Sequence, residues 1–489
     1  MTKNKNLKTL SSISVLCISL VIILFFHHPA VAQTPHHYTE LEFPPLREIE
    51  LPEYQRYQLN NGMVVYLMPD RELPLVSGTA IIRTGSRLEP PEKVGLAELV
   101  GTVMRSGGTQ QHPPEELNQI LEQRAATIET AITTSSGSAS FNALSQDLDT
   151  IIPLFAQILR FPAFPTDKLE LAKTQIRGTI ARRNDDPQDI ANREFQKLIY
   201  GHHSPYARTV ENDSLDNISP EDIVHFYQKY FHPQQIILGI VGDFESSQIK
   251  QLIQEAFGDW APGDTISDSI PTARQQHQSG IFFINQPQLT QSNILRGHLG
   301  DQLNNPDYPA LTVINGILNG FGGRLFNQLR SRQGLAYSVY GMWSPRYDYP
   351  GIFIAGGQTR SDTTVAFIQS LLTEIEKLRT TPISEQELAY GKESILNSFV
   401  FNFQQPSQSL SRLMRYDYYN YPPNFLYQYQ QGVKATTIED VQRVAQKYLQ
   451  RDRLLTLVVG NRQEIQPPLS NLGTEVQSID ISISQPQSS

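Results

Sequence analysis

The alternation of apolar and polar positions divides the chain into short strands and amphipathic helices. Residues 58–69 (QLNNGMVVYLMP) set an Asn-Gly pair between two apolar stretches, which predicts strand, tight turn, strand. Residues 73–84 (LPLVSGTAIIRT) read as another strand. From 93 to 104 the apolar residues recur at helical spacing and stop at Ser106-Gly107-Gly108, which predicts a helix. A second helix is predicted over 114–123, opened by Pro113-Pro114 with acids in its first turn. Residues 126–145 alternate small and hydroxyl residues with apolar ones and predict paired strands. Residues 146–203 are mostly helical, and 236–241 (IILGIV) form a short buried strand.

The pattern then recurs. The stretch 218–242 lies on 436–460 with an offset of 218 and no gap. Glu221-Asp222 falls on Glu439-Asp440, Gln228-Lys229-Tyr230 on Gln446-Lys447-Tyr448, and Val241-Gly242 on Val459-Gly460. Upstream, Lys173 and Ile176 fall on Lys392 and Ile395 with an offset of 219. Two tandem copies of one α+β unit follow, expected at 51–260 and 281–462. The polar stretch 261–280 is the expected linker, and the Gln-, Ser- and Pro-rich residues 463–489 are expected to form a flexible tail.

Composition narrows the function classes. The formal charge is −9, from 40 Lys and Arg against 49 Asp and Glu, so the chain lacks the basic footprint of a nucleic-acid-binding protein. Lys3, Lys5 and Lys8 precede an apolar run at 10–26, and Ala30-Val31-Ala32 follows. This reads as a signal peptide over 1–32, cut before Gln33, then a polar leader over 33–50. An uncleaved anchor is the alternative, and would be the chain's link to a membrane. The expected location is outside the cytoplasm, periplasmic or membrane-associated. The one cysteine, Cys17, lies inside the apolar run, so the mature chain would have neither disulfide nor thiol nucleophile.

Two motifs carry a resemblance. Residues 95–102 (GLAELVGT), with Gly107-Gly108-Thr109 beyond them, resemble the zinc-binding helix of the insulinase/pitrilysin family, which includes the mitochondrial processing peptidases. Residues 324–330 (RLFNQLR) with 334–340 (GLAYSVY) are similar to the motif of that family's C-terminal half. The resemblance implies two tandem α+β units, sheets packed with helices, forming half of a clam-shell chamber. Active members carry H-x-x-E-H on the first helix: the histidines hold zinc and the glutamate is the general base. Here the first histidine position is Glu98, the glutamate position Gly101 and the second histidine position Thr102. A further zinc-binding glutamate of the family would fall at Thr179. One carboxylate does not make a catalytic zinc site, which takes about three protein ligands. No catalytic residue and no cofactor is therefore assigned to this chain.

No two histidines after residue 32 are four apart, and the adjacent His202-His203 pair in YGHHSPY suits a structural or solvent role. The stretch 319–324 (NGFGGR) lacks the Lys-Ser/Thr of a phosphate loop and reads as a flexible loop before a helix. Six tyrosines and a phenylalanine crowd 416–429, a density that builds a core or chain–chain contact, with a peptide-binding wall as the alternative.

In the family an Arg and a Tyr seven residues apart hold the substrate backbone near the metal, and Arg330 and Tyr337 have that spacing. The bland reading pairs Arg330 with a carboxylate and packs Tyr337 in a core. The resemblance implies a non-catalytic subunit that pairs with a zinc-bearing homologue and helps to enclose extended peptides. A peptide-binding scaffold without proteolytic role and a divergent active peptidase are the alternatives.

Overall fold

The computed structural model describes residues 52–264 and 270–483. The expected signal peptide at 1–32, the leader at 33–50, and residues 265–269 and 484–489 of the expected linker and tail lie outside the described residues. Among the described residues no helix is long and apolar enough to cross a membrane.

The first copy contains β1 (Gln55–Gln58), β2 (Val64–Pro69), β3 (Leu75–Ile82), β4 (Thr127–Ile132), β5 (Gly137–Leu144) and β6 (Ile236–Gly242). These pair in the order β1-β2-β6-β3-β5-β4. Its helices are α1 (Leu96–Ser106), α2 (Pro114–Gln123), α3 (Leu148–Arg160), α4 (Thr166–Arg182), α5 (Pro187–Tyr200), α6 (Asn212–Asp216), α7 (Pro220–Tyr230) and α8 (Ser246–Phe257). The second copy contains β7 (Gly280–Asn285), β8 (Gln291–Leu299), β9 (Ser338–Ser344), β10 (Ile352–Arg360), β11 (Leu455–Gly460) and β12 (Val476–Ser478), in the order β12-β7-β11-β8-β10-β9. Its helices are α9 (Tyr308–Leu318), α10 (Thr364–Thr380), α11 (Glu385–Phe399), α12 (Pro406–Tyr418), α13 (Phe425–Ala435) and α14 (Ile438–Tyr448), with a π-helix over Phe326–Arg332.

The five shared strands have one topology. β2–β6 and β7–β11 are parallel pairs; the other pairings among those strands are antiparallel. Local chemistry repeats too. Ser219 and Asp222 form a reciprocal cap at the start of α7, and Thr437 and Asp440 form the same cap on α14. The copies differ at the outer strand: β1 comes from the N-terminal side, antiparallel to β2, and β12 from the C-terminal side, parallel to β7. Part of the expected flexible tail therefore forms an edge strand, and farther on Ile481 O accepts a hydrogen bond from Asn184 Nδ2 at 2.8 Å.

Each copy has its own apolar core. Val65, Leu99, Phe141 and Phe155 are buried in the first, and Phe283, Leu318, Phe353 and Phe367 in the second. Each such side chain contributes roughly 1.5–3 kcal/mol by leaving water.

The other face of each sheet is covered by a helix from the opposite copy. Ile190, Phe195 and Ile199 of α5 pack with Phe282, Leu295 and Leu457 of the second sheet. Leu410, Leu413 and Met414 of α12 pack with Met68, Ile237 and Val241 of the first. Both helices open with proline at matching positions of the repeat, Pro187 and Pro406. The tyrosine-rich stretch belongs to this junction. Tyr418 OH donates to Ser135 O at 2.7 Å, and Tyr66 OH donates to Asp417 Oδ2 at 2.7 Å. Arg87 and Asp348 form a buried ion pair across the copies, with side chains 4% and 7% exposed.

Candidate functional site

The frame expected of a metal site is present. Helix α1 packs against α4 and against strand β4. Its start is fixed by Gly95, whose φ of 106° favours glycine, and by the buried Glu89 carboxylate, which accepts from Ala97 N at 2.9 Å. Burial raises the Glu89 carboxyl to about 7, although Arg208 lies 3.7 Å away. Burial also lowers Arg208, so desolvation outweighs the attraction between them. Leu99, Val100 and Val103 bury one side of α1.

Glu98 and Thr102 lie one turn apart on the exposed side of α1, and Thr179 is exposed on α4. Crowding by surrounding chain raises the Glu98 carboxyl by desolvation, despite its solvent contact. Gly101 is buried against β4. A Cβ there would come within 2.8 Å of Ile132 N and 3.0 Å of the Ala131 carbonyl carbon. Thr130 Oγ1 donates to Gly101 O at 2.5 Å and holds helix and strand together. Strand backbone therefore occupies the space that a side chain at position 101 would need.

The donors do not fit a catalytic zinc ion. The four positions offer one carboxylate, two hydroxyls and a glycine, whereas such sites use imidazole, thiolate and carboxylate ligands. Among the described residues no group of three or more His, Cys, Asp or Glu side chains is placed to hold a metal.

The second motif presents its side chains to solvent. Leu329 anchors the π-helix in the core, and the broad turn leaves Arg330 outside. Gly334, at φ 64°, reverses the chain. Leu335 N then donates to Leu329 O at 2.8 Å, and Tyr337 N to Gln358 O at 2.9 Å, just before β9 begins. Tyr337 is 69% exposed. The Arg330 guanidinium carbon lies 5.9 Å from the Tyr337 ring centroid and 5.0 Å from that of Phe326. The bland reading fails on both counts: Tyr337 is not in a core, and among the described residues Arg330 makes no ion pair.

The sequence reading missed the aromatic companions of this pair. Phe321 is 84% exposed and meets Phe326 edge-on at 5.2 Å. Phe326 is half-buried and Phe321 exposed, and periodicity gives no exposure for a loop phenylalanine. The glycine-rich loop is also better fixed than expected. Tyr390 OH accepts from Gly322 N at 3.1 Å and donates to Asn319 O at 3.2 Å. Arg324 is held by Glu387 at 2.7 Å.

His202 and His203 stand apart from both motifs, edge-to-face at 5.3 Å in a surface cavity beside β12. Strands β4 and β9 each end a sheet, so each presents one edge without a strand partner among the described residues.

Comparison with known proteins matches these features. The description "Insulinase (Peptidase family M16)" fits residues 74–213, and "Peptidase M16 inactive domain" fits residues 217–395. An uncharacterized zinc protease of Bacillus subtilis, YmxG, is 22% identical over 408 residues, covering 83% of this chain and 98% of its own. A non-peptidase homolog of the same name from Helicobacter pylori is 22% identical over 416 residues, covering 83% of this chain and 94% of its own. The crystal structure of a peptidase M16 inactive domain from Pseudomonas fluorescens has a TM-score of 0.74 at 24% identity, covering 84% of this chain and 98% of that one. With the duplicated sheets, the helix that keeps its frame without its ligands, and these matches, the chain belongs to the insulinase family of peptidases, family M16.

Proposed function

We propose that this protein is an exported, non-catalytic subunit that holds extended peptide for a zinc-bearing M16 homologue. The carrying observation is the contrast between its two motifs. The metal helix has lost its donors, while Arg330 and Tyr337 remain together and open to solvent. A guanidinium and a phenol both donate hydrogen bonds and suit a peptide carbonyl. Beside a partner's metal they would also stabilise developing negative charge. An unpaired sheet edge offers main-chain groups to an extended segment, which reads backbone rather than sequence. The name of the Helicobacter pylori relative, a non-peptidase homolog, supports the non-catalytic half of this reading.

The test is reconstitution with a zinc-bearing M16 homologue from the same source. Peptide hydrolysis is expected from the mixture and not from this chain alone. Arg330→Ala and Tyr337→Ala are each expected to lower turnover by about 10- to 100-fold, the scale of lost charge-assisted hydrogen bonds, while association by gel filtration is unchanged. Full turnover in both variants would remove the assigned role. Metal-dependent hydrolysis by this chain alone would overturn the reading.

A further inference from the structure

The two sheets differ at one matched row. In the first, Ala80 of β3 stands between Leu238 of β6 and Ala139 of β5. In the second, Arg296 of β8 stands between Thr456 of β11 and Ala355 of β10. Leu238 and Thr456 are 218 residues apart, the repeat offset. A sealed apolar pair in one copy is therefore an arginine and a threonine in the other.

The covering differs at the same end. In the first copy the twelve-residue α8 follows β6 and packs on α3, burying Ile249, Ile253 and Phe257. In the second, a single 3₁₀ turn over Leu469–Leu472 packs on α10 in that place. The shorter cover leaves a cavity of about 660 Å³ with Arg296 in its wall.

Among the described residues no carboxylate pairs with Arg296. One guanidinium nitrogen donates to Thr456 Oγ1, while Nε is buried with no hydrogen-bond partner among the described residues. No ion pair to it occurs among the described residues. Arg451, Arg379 and Lys377 also line the cavity. Arg379 and Lys377 are balanced by Glu376 and Glu374, at 2.9 and 2.7 Å. Arg451 is not balanced in this way, and its charge adds to desolvation in lowering Arg296. Asp452 lies exposed at the rim. A half-buried guanidinium that faces a cavity without an anion is costly, and its planar fork matches an oxyanion with two oxygens.

The geometry points to an anion-binding site in this cavity, with Arg296 and Arg451 receiving the phosphate or carboxylate group of a small ligand. None of its lining residues belongs to the Arg330–Tyr337 cluster, so the site stands independently of the proposed function.

The experiment is thermal unfolding of the full chain titrated with inorganic phosphate and, separately, acetate, against sodium chloride at equal ionic strength. The expected result is a saturable rise in midpoint with at least one of the two anions, which also tells phosphate from carboxylate preference. A rise that stays linear is general salting and counts against the site. Arg296→Leu is expected to fold and to bind the effective anion at least about tenfold more weakly. Arg451→Ala, at an exposed position, is expected to weaken it several-fold and carries the test alone if the first variant does not fold. No saturable rise with either anion, or full affinity in the folded variants, overturns the site.

Discussion

Gly101 and Ile132 hold helix α1 against strand β4 so closely that a side chain could enter only by shifting backbone: a Cβ on Gly101 would stand 2.8 Å from the Ile132 nitrogen. On the register that the resemblance implies, a general base at this position would have to displace strand backbone, so restoring the letters of the motif is not expected to restore a site.

The first prediction concerns that contact. Alanine in place of glycine inside a helix gains about 1 kcal/mol of propensity. Against it stands overpacking on strand backbone, which costs about 1–3 kcal/mol and has no flexible side-chain end to yield. Gly101→Ala is expected to be destabilised by about 1 kcal/mol net in urea denaturation. The quadruple variant Glu98→His, Gly101→Glu, Thr102→His, Thr179→Glu is expected to hold less than stoichiometric zinc by elemental analysis. One zinc per folded chain in that variant would show the frame to be open after all.

The second concerns Arg87 and Asp348, which join the copies through a buried ion pair. Removing one partner of a buried pair costs about 3–5 kcal/mol, and less where the charge that remains keeps other contacts. Ser135 Oγ lies 3.5 Å from Arg87 Nη1 and 3.3 Å from Asp348 Oδ1, and softens the loss. Asp348→Ala is therefore expected near the lower end, about 3 kcal/mol, by urea denaturation. The double variant Arg87→Leu, Asp348→Leu is expected to be more stable than the single one. The opposite ranking would mean that Arg87 still stabilises the fold without Asp348.

The third follows from the exchange of α5 and α12. Residues 52–260 expressed alone would expose Met68, Ile237 and Val241, which α12 covers, and leave the apolar face of α5 without its sheet. An open apolar face of this kind promotes association. The fragment is expected to aggregate or bind hydrophobic dye, whereas the whole chain elutes as a defined species. A monomeric fragment with a cooperative unfolding transition would show that the copies do not depend on each other.

These cases also show what sequence can carry. The repeat at offset 218 announced the duplicated architecture, and the capping pairs Ser219–Asp222 and Thr437–Asp440 are visible as letters because caps are local. The exchange of helices was not visible. An amphipathic pattern says that a helix has an apolar face, but not that the face of α5 seeks Leu457 rather than its own sheet. Strand β12 escaped for a related reason: Val476 is its one strong strand former, three residues are too short for a pattern, and pairing with β7 supplies what Gln477 and Ser478 lack. At helix α1 the residue types at 98, 101 and 102 can be read as letters, whereas the closeness of Gly101 to Ile132 is a tertiary distance.

The fourth prediction is a pH dependence from Glu89, which caps α1 from a buried position. Burial raises its carboxyl from an ordinary value of 4.5 to about 7. Between those values the folded chain binds more protons at this group than the unfolded chain, so stability falls as pH rises. The contribution is complete below pH 4.5 and has been lost once pH passes about 7. Its size is at most about 3 kcal/mol, from 1.36 kcal/mol per pH unit across that window. Glu89→Gln keeps an oxygen to accept from Ala97 N but has no proton to lose. Urea denaturation at pH 5 and pH 8 is expected to show a smaller drop for the variant than for the native chain. Equal drops would mean that Glu89 ionises as freely in the folded chain as in the unfolded one, with Arg208 cancelling the effect of burial.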